Sequence, residues 1–319
     1  MNFVVARAAF AGSCPSPDAQ EAQTPGDAQL TLTLCGHGTV LTAPPGILAL
    51  VCPIAGSTDV MTGEWSIRLS KTDIGVGDAQ TRHDVIVAPR GACIVIAGTP
   101  MAWSTLGRRG TPGPQPAFML FPAVHRSVLA FARMLLRLTH QILKDNNDPG
   151  STYRANQLVR MIDDLQSGFA PMIARCPGSS LSRKKAVFLR LQRVRNYMSA
   201  CAHGELDVAE LALMANYSVS HFITTFRSVF EETPYSMVSR YRLQSASTLL
   251  STSTLGIADI AQAIGFQSPS SFSRAMRKHH GATATEFRDH AGGFFRAQAA
   301  ADGIRKRLVT SISRAVRSK

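Results

Sequence analysis

The sequence predicts an α+β multidomain chain. An N-terminal β-barrel with trailing helices comes first, followed by an all-α domain in which two helix-turn-helix units are joined by a bridging helix. Three observations predict this. Short apolar runs divided by Gly, Pro and Asp fill residues 29–103. Helical apolar spacing takes over from residue 124. A pattern of short helix, tight turn, Ser and second helix then occurs twice, at residues 208–234 and 257–284.

Composition supports two modules. With 319 residues, 45% hydrophobic and 17% charged, the chain has enough apolar material for two cores. Its formal charge of +13 is uneven: residues 1–180 carry 14 Lys/Arg against 12 Asp/Glu, and residues 181–319 carry 20 against 9. A nearly neutral module is joined to a strongly basic one. That is the footprint of a polyanion binder, because each phosphate contact releases counterions. A basic face kept for solubility is the plainer reading of charge alone.

Residues 1–28, rich in Ala, Pro, Ser, Asp and Gln, read as a flexible N-terminus. Residues 29–175 read as one domain. Its strands are LTLTLCG, ILALVCPI, WSIRLS, DVIVAP and ACIVIAG, at the spacing of an antiparallel sandwich or barrel. The expected form is a small jelly-roll or cupin-like barrel. After a Gly/Pro loop at 108–116, residues 124–144 place Val128, Phe131, Leu135, Leu138 and Ile142 on one helical face. Residues 153–169 do the same with Leu158, Met161, Ile162 and Leu165. These stripes either pack on the barrel or pair two protomers into a homodimer. Residues 176–182, with Pro177 and Gly178, are the linker.

The basic domain spans residues 183–290. Its first helix, 183–202, lines Val187, Leu191, Val194 and Met198 along an inner face and crowds Arg and Lys elsewhere. Asp207 is placed to cap a bracing helix whose Leu211 and Ala212 face inward. The turn Ala215-Asn216-Tyr217 leads to Ser218, which caps the first recognition helix; His221 or Phe222, with Phe226, is its buried set. Pro234 opens the bridging helix. The second unit repeats the plan: Ile257, Ile260, Ala261 and Ile264 brace, Gly265 turns, and the recognition helix stops at Gly281. Ser218 matches Ser268, Phe222 matches Phe272, and Phe226 matches Met276. A bracing helix and a second helix that enters the major groove need this layout, and a rigid bridge sets two such helices roughly 34 Å apart. Residues 291–319 are a basic C-terminal tail, suited to non-specific phosphate contact.

Other classes are disfavoured. The six cysteines (Cys14, Cys35, Cys52, Cys93, Cys176, Cys201) lack CxxC spacing, so neither a disulfide framework nor a zinc site is expected, and they read as small buried residues in a reducing cytoplasm. A metal cupin needs a His-x-His pair with further ligands, whereas the barrel has His37 and His83 far apart. GxSxG, P-loop and dinucleotide fingerprints are missing. The expectations are no metal, no cofactor and no enzyme, with a cupin-type enzyme fused to a DNA-binding module as the remote alternative. No run approaches the roughly 20 apolar residues of a membrane span, so the expected location is the cytoplasm. AGSC at 11–14 is a faint lipoprotein-like site without the basic start region such a signal needs.

Residues 183–288 resemble the AraC/XylS family of bacterial transcription regulators. The carriers are LALMANYSVSHFITTFR, YRLQSASTLL and IADIAQAIGFQSPSSFSRAMRKHHGATATEFR, the last matching the family's C-terminal signature almost throughout. The module ahead of them resembles the family's sensing domain by arrangement rather than by motif. Departures are Glu231 for Gly, Met276 for Phe, Ala284 for Pro, Phe287 for Tyr, and Thr224 where many members carry Arg.

The resemblance implies base contacts from Ser220, Ile223 and Thr224 in the first unit and from Ser270, Ser271, Ser273 and Arg274 in the second. Arg274 either forks onto guanine O6 and N7 or holds a phosphate. Arg227, Arg277, Lys278 and Arg288 are the expected phosphate contacts, and His279 and His280 the expected solvent-facing helix end. The implied partners are double-stranded DNA, RNA polymerase beside a promoter, a small-molecule effector and a second copy of the chain. The implied role is an activator with an effector-sensing N-terminal domain; the alternative is a repressor whose N-terminal domain is a ligand-free dimerisation or protein-partner scaffold.

Overall fold

The computed structural model describes residues 4–7, 20–21, 29–63, 66–108, 118–144 and 151–289. The basic tail and nearly all of the Gly/Pro loop lie outside these residues. The chain forms two compact units: residues 1–200 with 211–231, and residues 201–210 with 232–319.

In the first unit the strands are β1 (Val4–Arg7), β2 (Gln20–Glu21), β3 (Thr31–Cys35), β4 (Val40–Ala43), β5 (Leu48–Ala55), β6 (Ser57–Thr62), β7 (Ser66–Ser70), β8 (Ile74–Val76), β9 (His83–Val87), β10 (Ala92–Gly98) and β11 (Ala123–His125). They form a six-stranded sheet in the order β1-β3-β10-β5-β8-β11 and a five-stranded sheet in the order β2-β4-β9-β6-β7. β1 on β3 and β2 on β4 are parallel pairs; the other ladders are antiparallel.

Where the sequence predicts a barrel, the described strands form two open sheets. The reason lies in β5 and β10, which are apolar on both faces. Ala49, Val51, Cys93, Val95 and Ala97 pack toward Leu41, Val60, Leu69, Val85 and Val87 of the smaller sheet. The alternate residues Leu48, Leu50, Cys52, Ile94 and Ile96 pack toward helices. A sheet clad on both faces needs a layer on each side.

The helical layer comes from α1 (Pro100–Arg108), α2 (Leu129–Lys144) and α3 (Ser151–Gln166). Trp103, fully buried, donates its indole N–H to the Leu48 carbonyl at 3.2 Å. The apolar stripes packed here are those expected on the sheet: Phe131, Leu135 and Leu138 from α2 and Leu158, Met161 and Ile162 from α3. The other side of α2 leaves Leu129, Met134 and Leu136 exposed. A 3-10 turn (Ser167–Phe169) leads into α4 (Ala170–Arg175), and α5 (Leu181–Ala200) follows.

Asp73 fastens the β7–β8 turn to the start of α2. Its carboxylate accepts from the Ser70 N–H (2.9 Å) and hydroxyl (2.8 Å), the Arg126 guanidinium (2.7 Å) and the Ser127 N–H (3.2 Å). Burial opposes the charge, but these donors outweigh it and hold the carboxyl below its ordinary range. A carboxyl depressed in the folded state stabilises at neutral pH, and that contribution is lost as pH falls through its folded value. Asp73→Ala should therefore cost about 2–3 kcal/mol at pH 7. In urea titrations the gap from the parent should stay constant down to the ordinary carboxylate range and close below it.

Candidate nucleic-acid interface

In the first unit, α5 buries Val187, Leu191, Val194 and Met198, the face the sequence predicts, and also Phe188. The Phe188 ring lies 5.1 Å from Phe121, 5.2 Å from Phe169 and 6.3 Å from Phe230. The polar side of α5 is largely committed. Arg193 is ion-paired with Asp78 of the β8–β9 loop, both side chains mostly buried. Asn196 donates to the Pro122 carbonyl at 2.9 Å. Arg190 donates to the Tyr217 hydroxyl at 3.2 Å, with its guanidinium 4.9 Å from that ring's centre.

The first reading unit consists of α6 (Val208–Met214) and α7 (Val219–Phe230). Asn216, at φ 58°, makes the left-handed turn between them. Tyr217 N–H reaches back to the Ala212 carbonyl (2.9 Å) and Asn216 N–H to Leu213 (2.9 Å), a paired bond set that ends a helix. Ser218 then caps α7, accepting from the His221 N–H at 3.4 Å. Phe222, Thr225, Phe226 and Val229 are buried, and His221 is exposed, so Phe222 takes the inner position. α7 ends in a left-handed Glu231 (φ 60°), and Arg175 of α4 donates to the adjoining Val229 carbonyl at 2.9 Å.

The second unit repeats these devices in α9 (Ile257–Ala263) and α10 (Pro269–His280), preceded by α8 (Pro234–Thr252). Gly265 at φ 82° makes the turn, with Phe266 N–H to Ala261 (3.0 Å) and Gly265 N–H to Gln262 (3.0 Å). Ser268 caps α10 through the Ser271 N–H at 3.2 Å, and Gly281 (φ 71°) ends it. After each recognition helix a Thr caps the next: Thr233 accepts from Ser236 N–H (3.2 Å) and Thr283 from Glu286 N–H (3.3 Å). Glu286 returns a bond to Thr283 N–H (2.7 Å), completing a capping box. The inner sides of α8, α9 and α10 share one core around Leu250, Ile260, Phe272 and Met276.

Capping and core packing leave a polar strip on each recognition helix. On α7 it contains Ser220, Ile223, Thr224 and Arg227, all exposed. The Thr224 hydroxyl donates to the Ser220 carbonyl at 2.9 Å, which uses its one donor within the helix. On α10 the strip is Ser270, Ser273, Arg274, Arg277 and Lys278. No ion pair among the described residues holds Arg227, Arg274, Arg277 or Lys278, so their donors remain available.

Three expected positions are placed differently. Ser271 turns from this strip: half-buried, its hydroxyl donates to the Ser268 carbonyl at 2.7 Å, and it lines a groove of about 860 Å³ with Ala275, Tyr235 and Arg242. Arg288 donates to the Leu255 carbonyl at 2.6 Å and so braces the α8–α9 connection. His280 is half-buried, its Nε2 3.0 Å from the Ser247 hydroxyl, and burial with the neighbouring His279 lowers its pKa. Spacing along one helix could not reveal the last two, because the partner of Arg288 lies in the α8–α9 connection and that of His280 on α8, whereas Ser271 is drawn back by the N-cap of its own helix. Among the described residues no three His, Cys, Asp or Glu side chains assemble as a metal site.

Two capped helices with exposed basic and hydroxyl side chains, each braced by a shorter helix, form two helix-turn-helix units. Residues 211–290 match a family model described as a helix-turn-helix domain. The chain is 34% identical over 104 residues to the probable transcriptional regulator LumQ of Photobacterium leiognathi, a stretch covering 33% of this chain and 42% of that protein. It is 37% identical over 82 residues to the RCS-specific HTH-type transcriptional activator RclR of Escherichia coli K12, covering 26% and 29%. These matches span less than half the length of either relative. A solved DNA-binding domain of AdpA with a target DNA is 28% identical, covering 34% of this chain and 95% of that one, with a TM-score of 0.31. Over residues 211–290 the chain therefore carries a helix-turn-helix domain similar to those of bacterial transcription regulators. Among the described residues, no helix is long and apolar enough to cross a membrane.

The two left-handed turns respond oppositely to substitution. A Cβ at Gly265 would overlap the His203 carbonyl and sit at a disfavoured φ, so Gly265→Ala should cost at least about 2 kcal/mol. Asn216→Gly, which relieves its left-handed residue, should change stability by no more than about 1 kcal/mol, in the stabilising direction. Thermal unfolding of both variants checks the pair.

Proposed function

We propose that this protein is a sequence-specific DNA-binding transcription regulator in which α10 is the principal reader and α7 a weaker one. The observation that carries this reading is the free strip on α10, where Arg274 stands between Ser270 and Arg277 with its guanidinium unpaired. An Arg fork donates to both guanine O6 and N7, whereas the hydroxyls and Ile223 of α7 discriminate weakly. Ser270, Ser273, Ser220, Ile223 and Thr224 are the proposed base contacts beside Arg274. Arg227, Arg277 and Lys278 are the proposed phosphate contacts. Ser271, bonded to the Ser268 cap, and Arg288, bonded to the Leu255 carbonyl, are not among the proposed contacts.

The regulatory part of the proposal is the N-terminal sheet region, responding to a small-molecule effector. Its route to DNA is α5, whose Arg193–Asp78 pair and Asn196 bond join the sheet loops to the bracing of α7. An activating role through RNA polymerase at a promoter is supported by a relative named as an activator. The exposed Leu129 and Leu136 of α2 favour a second reading, in which that region is a ligand-free homodimer scaffold. A thermal-shift screen of metabolites separates the two. A specific hit raises the melting temperature of the ligand-bound state, while silence together with a concentration-dependent dimer supports the scaffold.

Selection of bound duplexes from a randomised pool tests the main reading. Two enriched clusters about 10 bp apart support two readers. One cluster means that α10 alone specifies, and none overturns sequence reading. With the selected site in hand, Arg274→Ala should lose about 1–3 kcal/mol at one or two base pairs. Lys278→Ala should weaken every sequence alike and reduce the salt slope by about 1. Equal effects from both would overturn the assignment.

A further inference from the structure

The inner face of the six-stranded sheet holds two thiols side by side. Cys35 is the last residue of β3 and Cys93 the second of β10, directly opposite each other in antiparallel register. Both are buried, and their sulfurs are hydrogen-bonded. Directly opposed residues of such a ladder place their Cα atoms about 4.5–5.5 Å apart, within the roughly 4.4–6.8 Å that a disulfide spans. The pair lies near the rim of the sandwich. β3 runs out into Gly36-His37-Gly38, where His37 and Gly38 are exposed, and β10 starts just after an exposed Arg90 with φ 115°.

The two thiols are inequivalent. The Cys93 S–H donates to Cys35, which holds Cys35 below the ordinary thiol range against the opposing effect of burial. The same bond, with burial, pushes Cys93 up. One sulfur is thus disposed to attack and the other to resolve. Cys52 packs on the opposite face of the sheet, toward the helices, and burial pushes its thiol up to about 12. It is a poor competitor.

We propose that Cys35 and Cys93 are an oxidisable dithiol which a hydroperoxide converts to a disulfide stapling β3 to β10. The Cys35 thiolate attacks one peroxide oxygen and the O–O bond breaks. Cys35 becomes a sulfenic acid, and the departing hydroxide takes a proton to form water. The Cys93 sulfur then attacks the Cys35 sulfur, and the S–O bond breaks. The sulfenic oxygen leaves with the Cys93 proton as a second water. Two thiols lose two electrons and two protons, and one hydrogen peroxide is reduced to two waters.

The test uses the reduced full-length chain, titrated with hydrogen peroxide, alkylated, digested without reduction and read by mass spectrometry. The expected result is a Cys35–Cys93 linked peptide that dithiothreitol reverses, with the oxidised chain melting higher than the reduced one because the link closes a long loop. Cys35→Ser and Cys93→Ser should each abolish the linked peptide, and reduced melting curves establish that each variant folds. If either variant fails to fold, Cys52→Ser serves as a second probe, since it should leave the link intact. The proposal is overturned by a link through Cys52 or Cys201, by Cys35 passing to sulfinic acid without a link, by persistence of both thiols while Cys201 is oxidised, or by a melting temperature that does not rise.

Discussion

The first unit depends on one buried aromatic contact, the ring of Phe188 on α5. It meets Phe121, just ahead of β11, Phe169 at the turn before α4, and Phe230 at the end of α7. Phe230 continues to Phe226 at 4.6 Å and Phe226 to Phe222 at 5.4 Å. A continuous run of rings therefore leads from the approach to the sheet into the inner face of a recognition helix. Aromatic contacts of this kind combine large apolar burial with a preferred edge-to-face geometry, so they fix orientation as well as proximity. Gln166 seals the start of the run, donating to the Phe121 carbonyl at 2.9 Å and accepting from its N–H at 3.3 Å.

Polar contacts around that core have a different character. The Arg193–Asp78 pair is mostly buried, and an ion pair of that kind specifies an arrangement more than it stabilises one. Among the described residues, His125 Nε2 and Gln192 Oε1 are buried and have no hydrogen-bond partner. Burial and the nearby Arg195 push the His125 imidazole down to about 4, so it stays neutral at ordinary pH.

The helix-turn-helix units were legible because their signals are local. Ser218 and Ser268 cap, Gly265 turns, Gly281 stops, and the buried Phe222, Phe272 and Met276 recur at helical spacing, each set by neighbours within a turn or two of chain. Asn216 belongs to the same class, since Asn tolerates the left-handed conformation. Glu231 shows the limit: nothing about a Glu announces a left-handed helix end, and only its alignment with Gly281 signals one. The site was legible to the same degree. Exposed positions of α7 and α10 follow from helical period, whereas Ser271 and Arg288 are drawn away by a cap and by a distant carbonyl.

Sequence by itself determined the two-module division of charge, the strands β3, β5, β7, β9 and β10, the amphipathic stripes and the twin reading units, because period, caps and turn residues act over short distances along the chain. Tertiary structure alone decided that the strands divide into two open sheets, since cover for both faces of β5 and β10 comes from segments far away in the chain. It alone decided that Cys35 and Cys93 face one another, since register belongs to the pairing of strands. It also decided that the first reading unit shares its core with the sheets, because Phe188 meets Phe121 and Phe230 only once the chain has folded.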